Sequence, residues 1–358
     1  MKKFFIILLM FVIVVISLLV FQNERMASRL KPPLDEPYLT DIEVSRVREI
    51  YRVQTTLGNQ VWPGFGDLHI PVLLYNDRYY FIFTEGKPSL LWKPVSRNND
   101  QEITYYRNLV KNPQAFAVKI GDQWAGSFGT LKKANKSYYL GIRSQLPPVL
   151  KNLFPYQLAT LSDDFYVAAI IHEMFHAFQA EQFPGKFRKA GYVYNVINKY
   201  PYHDESIIQL WNKEGEMLAR ALESSDKKEI VACLSQFIKI REKRRQKLTP
   251  ELIELEKRIE WLEGLAKYAE MKAYELAAGQ GRGTGMINYK KGLPYWQQEI
   301  GRLKKLGEVS MGDDFRFYLS GMAQARLLDK LKLDWKKEVM KNDVFLEDII
   351  INYLSKLN

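Results

Sequence analysis

The segment from Asp163 to Glu181 most constrains how this chain can fold. It runs without glycine or proline, and it carries two of the chain's only four histidines, His172 and His176. Val167, Ala168, Ile171, Met174, Phe175 and Phe178 recur at helical spacing, which predicts one helix with a broad apolar face. Residues four apart share a helix face. Both imidazoles therefore project the same way, close enough for two nitrogens to meet one Zn²⁺ at about 2.0–2.1 Å. The sequence His172-Glu173-Met174-Phe175-His176 is an HExxH motif. It supplies two ligands and, in Glu173, a carboxylate placed to take a proton from a water that the metal has acidified.

The N-terminus sets a second constraint. Lys2 and Lys3 precede a charge-free run from Phe4 to Phe21, long enough to cross a hydrocarbon core of about 30 Å. No small-x-small cleavage pattern follows it, so residues 1–21 are expected to be a retained signal anchor. Lys2 and Lys3 place the N-terminus in the cytoplasm and the body outside it, although Arg25, Arg29 and Lys31 weaken that asymmetry. Residues 22–40, with Pro32, Pro33 and Pro37, read as a stalk. The formal net charge of +11 favours an anionic envelope surface as a partner. No nucleic-acid recognition motif accompanies it. The single cysteine, Cys233, excludes an internal disulfide and reads as a small, half-buried apolar residue.

Residues 41–160 read as an α+β part with a small sheet. Ile70–Tyr75 and Tyr79–Thr84 are strand-like around an Asn76-Asp77-Arg78 turn. Ala115–Ile120 and Ser137–Ile142 add strands, and Gln123–Phe128 is a further one. Residues 161–358 read as the motif helix followed by a mainly helical part, with helices over Ile207–Leu222, Ile230–Lys247, Glu251–Ala278, Phe315–Leu333 and Leu346–Leu357. The glycine-rich stretch from Gly279 to Gly285 lacks a Gly-Lys-Ser/Thr ending and is expected to be a mobile loop near the active site.

Zinc needs a third protein ligand and an open position. A metzincin continuation would place Gly at 179 and His at 182, but glutamine stands at both. Downstream, Glu214-Gly215 and Glu263-Gly264 each place a glutamate beside a glycine on a predicted helix. Glu263 lies one turn beyond Ile259, at the edge of an apolar seam, where Gly264 would let another helix approach. His203 is a further candidate. The competing expectation for Glu263 is a solvated position among Glu256, Glu260, Lys267 and Glu270.

The HExxH motif, followed by Trp261-Leu262-Glu263-Gly264-Leu265-Ala266-Lys267-Tyr268, resembles the gluzincin branch of the zincin metallopeptidases, the thermolysin-like superfamily. The resemblance covers roughly a tenth of the chain. It implies a zincin-like fold and one Zn²⁺ per chain, with His172, His176 and Glu263 as ligands and Glu173 as the base. The long interval between His176 and Glu263 departs from thermolysin itself and keeps Glu214 as the alternative ligand. A donor toward the developing oxyanion is also needed. Tyr318 is the candidate, ahead of Tyr268, which is off the Glu263 face, and His203. Gln123–Phe128 is the expected edge strand for an extended peptide. The expected activity is hydrolysis of peptide or protein substrates by a membrane-anchored, extracytoplasmic zinc metallopeptidase. The alternative is a non-catalytic helical module that binds an anionic envelope surface.

Overall fold

The computed structural model describes residues 2–30, 33–86, 88–89, 91–95, 104–280, 287–289, 295–308 and 314–357. A long helix, α1 (Lys2–Leu30), precedes α2 (Asp41–Val61). Among the described residues six strands follow: β1 (Val72–Tyr75), β2 (Tyr79–Phe83), β3 (Lys93–Val95), β4 (Tyr105–Leu109), β5 (Phe116–Ile120) and β6 (Gln123–Gly129). They form one mixed sheet in the order β3-β4-β2-β1-β6-β5, with β1 and β6 parallel and the other pairs antiparallel. The rest is helical: α3 (Leu131–Gln145), α4 (Asp163–Gln182), α5 (Pro184–Tyr192), α6 (Glu205–Glu223), α7 (Lys227–Arg245), α8 (Pro250–Ile259), α9 (Leu265–Gln280), α10 (Tyr295–Leu303), α11 (Phe315–Lys330) and α12 (Leu346–Ser355). The chain is thus α+β, with the sheet in the N-terminal part and helices dominating the C-terminal part.

The motif helix α4 is the hub. It packs on β5 and β6 on one side and on α9 and α2 on the other, so both its faces are buried. Gly126 of β6 makes this approach feasible. A Cβ there would lie 2.7 Å from the backbone nitrogen of Met174, inside the motif. One main core runs through both halves of the chain, from Val47 and Val72 to Phe175, Leu262 and Met322.

Several expectations change. Ser137–Ile142 lies within α3, not a strand. Thr130 caps that helix, and Tyr139 is buried while its neighbours Tyr138 and Leu140 are exposed. Helix α2 escaped notice, although Thr40 and Glu43 form a capping box at its start. Strands β3 and β4 also escaped notice. Gln123–Phe128 is a strand, but an interior one between β1 and β5, so the sheet edge beside α4 is β5. The glycine-rich stretch lies mostly outside the described residues.

Among the described residues one helix, α1, is long and apolar enough to cross a membrane. The expected stalk is not a free tether. The helix continues to Leu30, and the segment after it docks against the sheet. There Leu34 and Leu39 are buried, and the backbone of Leu34 and the backbone and carboxylate of Asp77 bond each other.

Candidate metal centre

Helices α8 and α9 join end to end through a π turn, Glu260–Gly264. The rod from Pro250 to Gln280 therefore stays continuous but gains a local bulge. Gly264 faces Gly321 of α11 so closely that a Cβ on Gly264 would sit 2.6 Å from the Gly321 Cα. This contact presses the bulge between α11 and α4, and the bulge carries Glu263 to the two motif histidines.

Three ligand atoms converge there. His176 Nε2 lies 3.0 Å from Glu263 Oε2 and 3.1 Å from His172 Nε2, and His172 Nε2 lies 3.3 Å from Glu263 Oε2. All three residues are buried. A tetrahedral ion with bonds of about 2.0–2.1 Å requires ligand separations of about 3.3 Å, so the set fits such an ion with little adjustment.

The outward atoms of the same side chains are tethered. His172 Nδ1 lies 3.2 Å from Glu270 Oε2, and Lys267 Nζ donates to Glu270 Oε1 at 2.8 Å. His176 Nδ1 lies 3.0 Å from Gln179 Oε1, whose amide donates to the Trp261 and Leu262 carbonyls. Tyr194 donates to Glu263 Oε1 at 2.8 Å. Partners of this kind fix the tautomer and ring orientation of ligating histidines. With Nδ1 donating on each ring, both Nε2 lone pairs point at the common centre.

Charge makes the same case. With neutral imidazoles, Glu173, Glu263 and Glu270 face a single ammonium, Lys267, leaving two negative charges that a divalent cation would balance. Without such an ion the chain holds protons instead. Burial opposes the His172 imidazolium, but its bonds to Glu263 and Glu270 prevail and push its pKa up to about 10. Glu263 is held well below the carboxylate range. Burial again opposes this, and the two histidines overcome it. Glu173 behaves differently: burial dominates and raises it to about 7.

Glu173 opens onto a cleft of about 280 Å³, walled by Phe128, Tyr138, Lys267, Arg302, Phe315 and Tyr318 among others. Tyr318 stacks on the His172 ring, with centroids 6.0 Å apart and planes at 11°. Burial raises its pKa well above the usual phenol value, so it remains a donor at neutral pH. Phe116 of β5 lies 4.6 Å, centroid to centroid, from His176.

The structure brings together His172, Glu173, His176, Glu263 and Tyr318. It does not bring in Glu214, the alternative third ligand, which is buried and bonded to Arg241 and Arg244. His203 is exposed in the turn before α6. Tyr268 donates to Asp329 at 2.6 Å and is buried away from the ligand set. The sequence reading does not single out the tethers. Glu270 stands two helical turns after Glu263 and Gln179 three residues after His176, so helical spacing could have flagged both. Tyr194 leaves no such signal. Comparison with family models, with curated proteins and with solved structures finds no match.

Proposed function

We propose that this chain is a membrane-anchored zinc metallopeptidase of gluzincin type, with its catalytic body on the extracytoplasmic side. The observation that carries the reading is the convergence of His172 Nε2, His176 Nε2 and Glu263 Oε2 beside a buried, otherwise unengaged Glu173 carboxylate. Zinc held there would acidify a water and polarise a substrate carbonyl.

The chain's own residues would do the rest. Glu173, raised toward neutral pH by burial, suits proton exchange: it takes a proton from water as the base and returns it to the leaving amine. No hydrogen bond engages its carboxylate among the described residues, so both oxygens remain available. The Tyr318 hydroxyl would donate to charge developing on the substrate carbonyl. Glu270 and Gln179 would hold the imidazoles in register. The edge of β5, unpaired among the described residues, offers main-chain pairing to an extended peptide, whose side chains would meet the aromatic wall of the cleft. The anchor reading rests on α1 and the basic residues before it.

The test is Glu173→Gln in the full-length protein, assayed against a mixture of unstructured peptides. The variant should keep its zinc and lose at least about 10²-fold in hydrolysis. Unchanged turnover with the metal retained would remove Glu173 from this role. A zinc-loaded wild type that cleaves no peptide would favour the non-catalytic reading.

A further inference from the structure

Helix α1 does not stop where its apolar run stops. Beyond Phe21 it continues to Leu30 and is clamped to the body. Asn23, buried on this helix, donates from Nδ2 to the carbonyls of Asn152 at 2.7 Å and Phe154 at 2.9 Å. Leu30, Tyr139 and Tyr156 form a small core of their own, distinct from the main one, with Met26 and Phe154 packed on it. Asn23 lies only about 3 Å farther along the helix axis than Phe21. The segment around Asn152 is therefore held at the level where α1 would leave the hydrocarbon.

At that level the segment presents Val149, 77% exposed, and Leu150, 47% exposed. Its backbone is braced from behind: Arg143 Nη1 and the Tyr156 hydroxyl each donate to the Lys151 carbonyl at 2.8 Å. Nearby, α1 and the starts of α2 and α3 enclose a cleft of about 1080 Å³. Its wall grades from apolar Leu18 and Phe21 to basic Arg25, Arg29 and Lys132. Arg25 and Arg29 have no ion pair among the described residues. The acidic residue on that wall, Glu43, is engaged by the backbone and hydroxyl of Thr40.

We propose that this face seats the body on an anionic bilayer: Val149 and Leu150 enter the interface, and the cleft takes an anionic phospholipid. The acyl chain would run along Leu18 and Phe21 and the phosphate would meet Arg25 and Arg29. The wall matches such a molecule in both polarity and order, and a basic cluster beside a membrane helix attracts anionic headgroups. A second contact of this kind fixes the tilt of the body and hence the height of the metal centre above the membrane. The inference rests on α1 spanning the bilayer and is independent of the metal chemistry.

The experiment uses full-length protein carrying Cys233→Ser, reconstituted in nanodiscs of phosphatidylcholine and phosphatidylglycerol. An environment-sensitive fluorophore is attached at Val12→Cys, Val149→Cys or Ile351→Cys, with spin-labelled lipid as quencher. Ile351 sits exposed on α12, which packs on α7 and α11. Quenching at 12 and 149 but not at 351 is expected. Quenching at 12 without quenching at 149 overturns the seating alone. No quenching at 12 overturns the anchor and the seating together. Native mass spectrometry of the lipids retained by the unlabelled protein tests the cleft. Arg25→Gln with Arg29→Gln should reduce the preference for phosphatidylglycerol on the order of tenfold, and an unchanged preference would overturn the cleft assignment.

Discussion

The rod from Pro250 to Gln280 carries two buried clusters of glutamates, and they are balanced in opposite ways. Toward its N-terminal end, Glu256 and Glu260 join Glu214 and Glu347 around Arg241, Arg244, Arg245 and Lys257. Every N–H of Arg241 is used, on Glu214, Glu260, Glu347 and Ser320. Farther along, Glu263 and Glu270 face histidines instead of arginines. Four cationic side chains match four carboxylates in the first cluster. In the second, counted with Glu173 of α4, three carboxylates face one fixed cation, Lys267, and the lone pairs converge on one point. Burying carboxylates is costly unless they are paired. The first set is balanced by fixed cations and the second faces titratable donors, a difference that the proposed function assigns to a divalent ion.

The contrast can be broken most forcefully in the arginine cluster. Arg241→Met leaves Glu214, Glu260 and Glu347 short of a partner and should cost about 3–5 kcal/mol, read from chemical denaturation. A loss below about 1 kcal/mol would mean that the cluster is not held by its charges. In the metal centre the same kind of deletion should act on binding. Glu263→Ala should weaken zinc on the order of a hundredfold or more, with circular dichroism unchanged. Glu214→Ala should do the reverse, keeping zinc while lowering stability, and zinc loss at Glu214 would return it to the ligand set. Glu270→Gln removes a tether and one of the three negative charges but no ligand, and should cost about 10–100-fold in zinc affinity. An unaltered affinity would make the His172 contact incidental.

How far the sequence could lead follows the same division. The HExxH helix, the Glu263 context and the close approach at Gly264 were legible, because each depends on local spacing. The arginine cluster was not. Glu256 and Glu260 alternate with basic residues like a solvated helix face, and only the packing of the preceding helix α7 brings Arg241, Arg244 and Arg245 onto them. Tyr194 was equally hidden, since it reaches Glu263 from a segment with no motif of its own. The sheet was legible where a turn marked it, at Asn76-Asp77-Arg78. It was missed at β3, which has three residues, and at β4, where Arg107 and Asn108 interrupt the apolar pattern. Ser137–Ile142 misled because its aromatic and β-branched residues suit a strand, whereas in α3 Tyr139 and Ile142 pack with Leu30 and Met26 of α1 and Tyr138 faces the cleft.

The two clusters should also respond differently to acid. Although burial opposes ionisation, the arginines lower Glu256 to about 2. Its contribution to stability is complete above the unfolded value of about 4.3 and is lost as pH falls through about 2. The metal centre should respond at higher pH. With the metal-free His172 pKa near 10, zinc must displace a proton at neutral pH, so its affinity should fall as pH falls from about 10. Calorimetry in buffers of different ionisation enthalpy reads that release, and equal apparent heats in all buffers would contradict it.

The most direct measurement is the zinc content of the purified full-length protein, by mass spectrometry of the metal, beside His172→Ala and His176→Ala. One ion per chain in the parent and loss of tight binding in both variants is the predicted result. A parent that takes up no zinc, or variants that keep full occupancy, would contradict the metal centre.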